Sequence, residues 1–193
     1  MWARIPFISH FQCGIGHRTL VLIYSPSILI MLHGNDVLVE GGHYVISIYD
    51  PINFSHNTPK VFTHEGNDIY LRPYQPGQQT QVFRCTRDPS NRWGFVCDGT
   101  GVRMGRNRYE NLKCESKISD QGSWECFYFN VAPDGGYKML MTVNDRLCPL
   151  EITSDSGGEY LAIRARESNA LIGLTRVGSG EGRRNNWPGH DEL

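Results

Sequence analysis

The stretch Arg92-Trp93-Gly94-Phe95-Val96-Cys97 has a counterpart on each side of it in the chain. His43-Tyr44-Val45-Ile46-Ser47-Ile48 precedes it, and Tyr137-Lys138-Met139-Leu140-Met141-Thr142 follows it. Tyr44 and Trp93 are 49 residues apart, and Trp93 and Tyr137 are 44 residues apart. A repeat of roughly 20–50 residues is typical of one supersecondary unit that occurs several times. The three stretches therefore predict a closed fold built from three β units.

The same signals follow in each unit and in the same order. A polar turn comes after the first apolar run: Asp50-Pro51, Asp98-Gly99-Thr100-Gly101 and Asn144-Asp145. Two further strand patterns complete the units: 69–71 and 81–83, 111–114 and 124–129, and 160–163 and 170–174. Short alternating runs bounded by Gly, Pro, Asn and Asp are typical of strands, and at this spacing they favour a sandwich or barrel. The sequence thus predicts an all-β fold without helices.

The second unit resembles a known fold family. Its motifs are Arg92-Trp93-Gly94-Phe95-Val96, Thr100-Gly101-Val102-Arg103-Met104-Gly105, Asn111-Leu112-Lys113-Cys114 and Gly122-Ser123-Trp124-Glu125-Cys126-Phe127. This order is similar to the unit pattern of fascin-like (actin-crosslinking-type) β-trefoils and of related fungal lectin-like trefoil domains. The resemblance implies three pseudo-repeats of about four strands, arranged as a pseudo-threefold barrel and a hairpin cap. It also implies that Thr100-Gly101 forms a hairpin turn and that Trp124 and Phe127 fill the core.

The segments outside the repeat have a different composition. We expect a β-trefoil domain over residues 37–177, with units at about 37–90, 91–134 and 135–177. Residues 1–36 are interpreted as a leader, and a disordered segment, a weak signal segment and a wrong start remain alternatives. The apolar run Leu20–Leu32 is interrupted by Pro26 and is too short for a membrane span, so we expect no membrane insertion. Residues 178–193 have little apolar content and are expected to form a flexible tail.

The last four residues suggest a cellular compartment. His190-Asp191-Glu192-Leu193 matches a retention signal of the secretory pathway, which predicts the lumen of the endoplasmic reticulum. The poor leader favours the alternative, a cytoplasmic protein. Asn53-Phe54-Ser55 is a possible glycosylation sequon.

The charge balance argues against a nucleic-acid partner. The chain carries 19 basic and 20 acidic side chains, for a net charge of −1. Arg103, Arg106 and Arg108 form a local cluster, which we interpret as a solvated hairpin face in preference to a phosphate site. We expect a monomer.

The cysteines and histidines give no metal-binding pattern. The six cysteines include no C-x-x-C, and His56 and His64 have no third ligand at suitable spacing, so both are interpreted as exposed loop residues. If the chain is oxidised, Cys97–Cys114 is the first candidate disulfide, because it would link two strands of one unit.

The sequence favours binding over catalysis. It contains no G-x-S-x-G, P-loop or H-E-x-x-H motif, so we predict a protein without catalytic residues, cofactor or metal. An aspartate follows the first strand of each unit: Asp50, Asp98 and Asp145. The resemblance to trefoil lectins implies that such residues bind sugar hydroxyls, with Asn107, Tyr109 and Asn111 as candidate neighbours of Asp98. Alternatively, these aspartates only initiate turns.

Three functions remain open at this point. The first is a non-catalytic trefoil that binds carbohydrate or glycoprotein. The second is a cytosolic, protein-binding trefoil of the fascin-like kind. The third is a trefoil protease inhibitor that acts through a loop such as 53–60.

Overall fold

The computed structural model describes residues 34–50, 58–116, 121–164, 168 and 170–178. These residues form twelve strands and no α-helix. The strands are β1 (His43–Ile48), β2 (Lys60–Glu65), β3 (Asp68–Pro73), β4 (Phe83–Arg87), β5 (Trp93–Cys97), β6 (Arg103–Arg106), β7 (Leu112–Ser116), β8 (Tyr128–Val131), β9 (Tyr137–Val143), β10 (Arg146–Asp155), β11 (Gly158–Ile163) and β12 (Ile172–Val177). Short 3₁₀ turns at Gln79–Gln81 and Ser123–Glu125 precede β4 and β8.

Six of the strands, two from each unit, close into a barrel. In order around it they are β1, β4, β5, β8, β9 and β12, and β12 pairs back with β1. All these contacts are antiparallel, and the one between β5 and β8 is the bridge of Trp93 with Phe127. Each unit therefore contributes its first and its last strand to the barrel.

The middle strands of each unit form three hairpins, β2–β3, β6–β7 and β10–β11. Their second strands meet in pairs, with Asp68 opposite Lys113, Asn111 opposite Ala162 and Tyr160 opposite Tyr70. A six-stranded barrel with a cap of three mutually contacting hairpins is a β-trefoil. The predicted fold is thus confirmed.

The core lies inside the barrel and under the cap. Phe95 is its aromatic centre, with edge-on ring contacts to Phe127 at 5.7 Å and to Phe129 at 6.0 Å between centroids. All three units contribute fully buried side chains of large volume: Tyr44, Phe62, Phe83, Phe95, Met104, Leu112, Phe127, Met139 and Met141. Each such side chain contributes roughly 1.5–3 kcal/mol on burial, so the repeated apolar positions act chiefly in folding.

Two positions predicted as strand residues lie in the 3₁₀ turns. Gln81 is buried, and its Nε2 donates to Thr63 Oγ1 at 3.0 Å and to the Pro73 carbonyl at 3.1 Å. Trp124 is 43% exposed, whereas Phe127 is fully buried. The expectation that Trp124 fills the core is therefore wrong, because the turn directs the indole outwards and Phe127 alone occupies the core position.

The folded region includes residues that the sequence assigned to the leader. The Asp36 amide donates to the Leu174 carbonyl at 2.9 Å, and the Gly136 amide donates to Asn35 Oδ1 at 2.7 Å. Asn35 and Asp36 are therefore hydrogen-bonded to the segments around β9 and β12. The rest of the leader (1–33), Asn53 and the terminal tetrapeptide 190–193 lie outside the described residues. In the described part of the chain, no helix has the length and apolar character needed to span a membrane.

The described cysteines act as small apolar core residues. Cys85, Cys97, Cys114, Cys126 and Cys148 are all buried and carry free thiols, so the candidate Cys97–Cys114 disulfide is not formed. Burial raises the pKa of Cys85 to about 12 and also raises the pKa values of Cys97 and Cys114. These thiols are therefore protonated and unreactive at neutral pH.

Candidate binding cleft in the second unit

Asp98, the leading candidate from the sequence, is engaged in a contact between two units. His43 Nδ1 on β1 donates to Asp98 Oδ2 at 2.5 Å, and both side chains are largely buried. The Asp98 amide also donates to the Val82 carbonyl at 2.9 Å. The side chain and the backbone of Asp98 thus hold the first unit against the second.

Asp50 and Asp145 occupy the corresponding positions of the other units. Asp50 is half-buried directly after β1. Asp145 is exposed in the β9–β10 turn, where both Asn144 and Asp145 have positive φ values, 48° and 60°. This is the backbone of a tight hairpin turn, and Asn and Asp tolerate it better than most residues. The turn role alone accounts for Asp145.

The predicted neighbours of Asp98 lie at the opposite end of β6, in the β6–β7 turn. Asn107 Oδ1 accepts hydrogen bonds from the amides of Tyr109 at 2.9 Å and Asn111 at 3.0 Å, so this buried side chain organises the turn. Asn111 also makes the backbone bridge to Ala162 in the cap. Only Tyr109 is exposed, at 63%. The structure therefore brings Asn107, Tyr109 and Asn111 together but separates them from Asp98.

A cleft of about 460 Å³ begins at this turn. Four segments of unit two line it: β6, the β6–β7 turn, β7 and the 3₁₀ turn before β8. Its lining residues are Arg103, Gly105, Arg106, Asn107, Arg108, Tyr109, Lys113, Glu115, Trp124 and Glu125. Asn107 and Tyr109 are thus the two sequence candidates that line the cleft.

Close packing of the 3₁₀ turn on β6 shapes one wall of the cleft. A Cβ on Gly105 would lie 2.8 Å from the Trp124 carbonyl oxygen, a separation that real Cβ atoms do not show. The buried Glu125 side chain fixes the turn from within, because its Oε2 accepts a hydrogen bond from the Gly122 amide at 2.9 Å. Gly105 and Glu125 together determine where the Trp124 indole lies.

Two arginine–aromatic pairs line the cleft. The Arg106 guanidinium lies over the Trp124 ring, 4.6 Å from its centroid, and Arg106 Nη1 donates to both Glu110 carboxylate oxygens at 3.1 Å. Arg108 lies 4.7 Å from the Tyr109 ring centroid, and its Nη2 donates to the Tyr109 hydroxyl at 2.5 Å. Each pair fixes an aromatic ring at the surface.

The other two basic residues of the cleft differ in their partners. Lys113 Nζ lies 3.1 Å from Asp68 Oδ1 and 3.2 Å from Glu115 Oε1. Burial alone would lower the pKa of Lys113, but the two carboxylates outweigh it and raise the pKa. Arg103 Nη1 instead donates to neutral oxygens, at 2.9 Å to Thr86 Oγ1 and at 3.3 Å to Gln121 Oε1.

His64 lies outside the cleft and has a structural role. His64 on β2 is buried, contrary to its interpretation as an exposed loop histidine. Its Nε2 donates to the Gly66 carbonyl at 2.8 Å, and Nδ1 accepts from Thr100 Oγ1 at 2.9 Å. His56 lies outside the described residues. Within the described residues, no cluster of His, Cys, Asp and Glu is suited to a metal ion.

Sequence reasoning recognised the arginine cluster but not its surroundings. The spacing of Arg103, Arg106 and Arg108 suggested a solvated hairpin face, and Trp124 was assigned to the core. The signal that could have identified the turn was Glu125 three residues after Gly122, because a glutamate at that position can accept a hydrogen bond from the amide at the start of a helical turn. Such a cap favours a short helical turn over a strand.

Comparison with known proteins supports the fold. No family model matches the sequence, and no curated protein matches it. The designed threefold-symmetric protein ThreeFoil is 15% identical, with a TM-score of 0.54 over 70% of this chain and 99% of its own. A BEL β-trefoil in an apo crystal form is 10% identical, with a TM-score of 0.53 over 74% and 97% of the two chains.

A natural agglutinin has the same architecture. The Rhizoctonia solani agglutinin is 15% identical, with a TM-score of 0.51 over 74% of this chain and 99% of its own. At these identities the likenesses concern the backbone arrangement alone. Together with the strand pairing, they show that this chain has the β-trefoil fold.

Proposed function

We propose that this protein is a non-catalytic binding protein and that it binds a glycan, free or on a glycoprotein, in the unit-two cleft. The observation that carries the proposal is the cleft itself, which places two surface aromatic side chains, Trp124 and Tyr109, beside three guanidinium groups. The agglutinin among the structures of the same fold is consistent with such a role.

The chemistry of the cleft suits a sugar ring. A pyranose has an apolar C–H face and a rim of hydroxyls, so it is bound well by a flat aromatic surface with polar groups around it. The residues Trp124 and Tyr109 are 43% and 63% exposed, and the neighbouring arginines provide N–H donors for hydroxyl oxygens. Because the rings are held by Arg106 and Arg108, little side-chain entropy is lost on binding.

The carboxylates of the cleft favour binding over glycoside hydrolysis. Hydrolysis of the usual kind needs one carboxyl as acid and a second as nucleophile or base. Here Glu125 is buried and accepts the Gly122 amide, and Glu115 is paired with Lys113. Both carboxylates have structural partners that hold them in place.

Glycan-array binding of a double variant tests the proposal. Trp124→Ala combined with Tyr109→Ala should remove binding to the glycans that the wild-type protein retains, by about tenfold or more in affinity. Leu147→Ala is a matched control, since Leu147 is 53% exposed on β10, in the third unit. An array without any wild-type binding, or equal binding by the double variant and the control, would contradict the proposal.

The compartment remains a separate proposal. The tetrapeptide His190–Leu193 supports retention in the endoplasmic reticulum, a compartment that contains many different glycoproteins. Imaging of the full chain with and without these four residues tests it. A distribution unchanged by the deletion would refute retention without affecting the cleft.

A further inference from the structure

We infer that the ligand of the unit-two cleft is an anionic glycan, one that presents a sulfate or carboxylate group to Arg103 and Arg108. This inference rests on the proposed glycan-binding function and names the class of sugar. It differs from the interpretation of the arginine cluster as a merely solvated face.

The residues that line the cleft carry more positive than negative charges. Four basic side chains and two carboxylates line the cleft, whereas the whole chain has a net charge of −1. The lining residues alone thus carry an excess of two positive charges, while Asp68 and Glu110, which do not line the cleft, neutralise Lys113 and Arg106. A concave site lined by an excess of one sign concentrates ligands of the opposite sign.

The basic groups of the cleft differ in whether they have a carboxylate partner. Lys113 and Arg106 are already neutralised, the first by Asp68 and Glu115 and the second by Glu110. Among the ion pairs of the described residues, none includes Arg103 or Arg108. Their hydrogen bonds go to neutral oxygens of Thr86, Gln121 and Tyr109. The guanidinium groups of Arg103 and Arg108 thus have no carboxylate within salt-bridge distance among the described residues.

Two arginines of the cleft each have an N–H group that makes no hydrogen bond within the described residues. The Nε atoms of Arg103 and Arg106 are buried and have no hydrogen-bond partner among the described residues. A guanidinium binds carboxylate and sulfate through Nε and Nη together, in a two-pronged arrangement. A small reorientation of Arg103 towards an anionic group would satisfy its Nε and keep one Nη on Thr86.

The aromatic rings distinguish a charged sugar from a free inorganic anion. Tyr109 lies directly under Arg108 and Trp124 directly under Arg106, so a bound anion would have an apolar ring surface beside it. An inorganic anion leaves this surface uncovered. A sugar that carries the anionic group can place its apolar face against the parts of Trp124 and Tyr109 that the arginines leave exposed, which makes the combination specific for charged glycans.

The test is calorimetric titration of the full chain with three hexasaccharides of equal length. Heparin carries sulfates and carboxylates, and hyaluronan carries carboxylates only. The third, the fully N-acetylated chitohexaose (called chitohexaose below), is neutral. We expect either or both charged hexasaccharides to bind about tenfold or more tightly than chitohexaose, with an affinity that falls as salt is added. The better of heparin and hyaluronan identifies the anionic group.

Two variants and a control locate the interaction. Arg108→Gln and Arg103→Gln should each weaken binding of the charged hexasaccharide about tenfold, and by a larger factor than they weaken binding of chitohexaose. Arg108 is exposed, so its replacement tests the inference even if Arg103→Gln lowers stability. Arg146→Gln, at an exposed position on β10, is the matched control and should bind like the wild-type protein.

The outcomes separate this inference from the proposed function. Equal binding of neutral and charged hexasaccharides, lost in the double Trp124 and Tyr109 variant, overturns the anionic class and keeps glycan binding. Binding of none of the three, with no retention on the array, overturns both. Tighter binding of a uridine hexanucleotide than of any sugar also overturns both, since exposed aromatics and arginines can hold bases as well.

Discussion

Asp98 and His43 form a short hydrogen bond of 2.5 Å between the second and the first unit of the trefoil. The bond is largely buried, and Asp98 does not line the cleft of its own unit. The aspartate that the sequence offered as a sugar ligand therefore has a structural partner in the neighbouring unit. This relationship gives the first prediction.

Asp98→Ala should destabilise the protein by about 1–3 kcal/mol, because it leaves the largely buried His43 Nδ1 without its acceptor. Glycan binding by the folded variant should be unchanged. Urea unfolding and glycan titration measure the two effects separately. Asp145→Asn, at an exposed turn position with positive φ, is the control and should change stability by less than about 0.5 kcal/mol. Loss of glycan affinity in folded Asp98→Ala would restore the aspartate as a ligand.

Gly105→Ala should disturb the cleft through the backbone. The added Cβ would lie 2.8 Å from the Trp124 carbonyl oxygen, so the 3₁₀ turn has to move away from β6. We expect a loss of about 1–3 kcal/mol in the free energy of unfolding, together with weaker glycan binding. Ser123→Ala, at an exposed position in the same turn, is the control for both measurements. Unchanged stability and binding in Gly105→Ala would show that the turn does not depend on close packing.

Asp88 should make stability depend on pH. Burial alone would raise the pKa of its carboxyl, but the Arg92 amide at 2.7 Å and the Arg92 guanidinium at 2.6 Å hold the pKa below its ordinary value. A carboxyl with a lower pKa in the folded state stabilises the fold above its unfolded pKa, and this contribution is lost as the pH falls through the folded pKa.

Asp88→Asn should therefore be less stable than wild type at neutral pH and lose less stability on acidification. Urea midpoints measured between neutral and acidic pH check this, and Arg92→Gln should weaken the same dependence. Parallel curves for wild type and Asp88→Asn would show that the pair does not contribute.

The five described cysteines should react with a thiol reagent only when the protein unfolds. Each is buried and so is shielded from the reagent in the native state, and burial also raises the pKa of Cys85 to about 12, which keeps that thiol protonated at neutral pH. Thiol titration before and after denaturation measures this directly. Reducing agent should leave the melting temperature unchanged. A drop in melting temperature on reduction would instead indicate a disulfide such as Cys97–Cys114.

The sequence predicted the first strand of each unit well because the signal of these strands is local, whereas the predicted last strands begin two to four residues before β4, β8 and β12. The stretch Arg92–Cys97 became β5 (Trp93–Cys97), since its four consecutive buried residues carry the apolar signal within the strand itself. Core aromatics such as Phe95 and Phe127 were identifiable for the same reason. The outward direction of Trp124 was not, because it depends on the cap made by Glu125 and on contact with Gly105 in another strand.

The candidate site was only partly predictable. Asn107 and Tyr109 do line the cleft, and the close spacing of the arginines in the sequence indicated the arginine cluster. The pairing of Asp98 with His43 joins residues 55 positions apart, and a single sequence carries no signal for it. The charge state of the cleft likewise depends on which arginines have carboxylate partners, and this follows from the tertiary arrangement alone.

The most direct test of the central claim is nuclear magnetic resonance of the ¹⁵N-labelled protein during titration with a glycan that it binds. The claim predicts shifts of the Trp124 indole N–H and of amides in the ranges 103–109, 113–115 and 122–125. The amide signals of His43, Asp98 and Asp145 should not shift. Shifts confined to the turns of Asp50, Asp98 and Asp145, with an unmoved Trp124 signal, would contradict binding in the unit-two cleft.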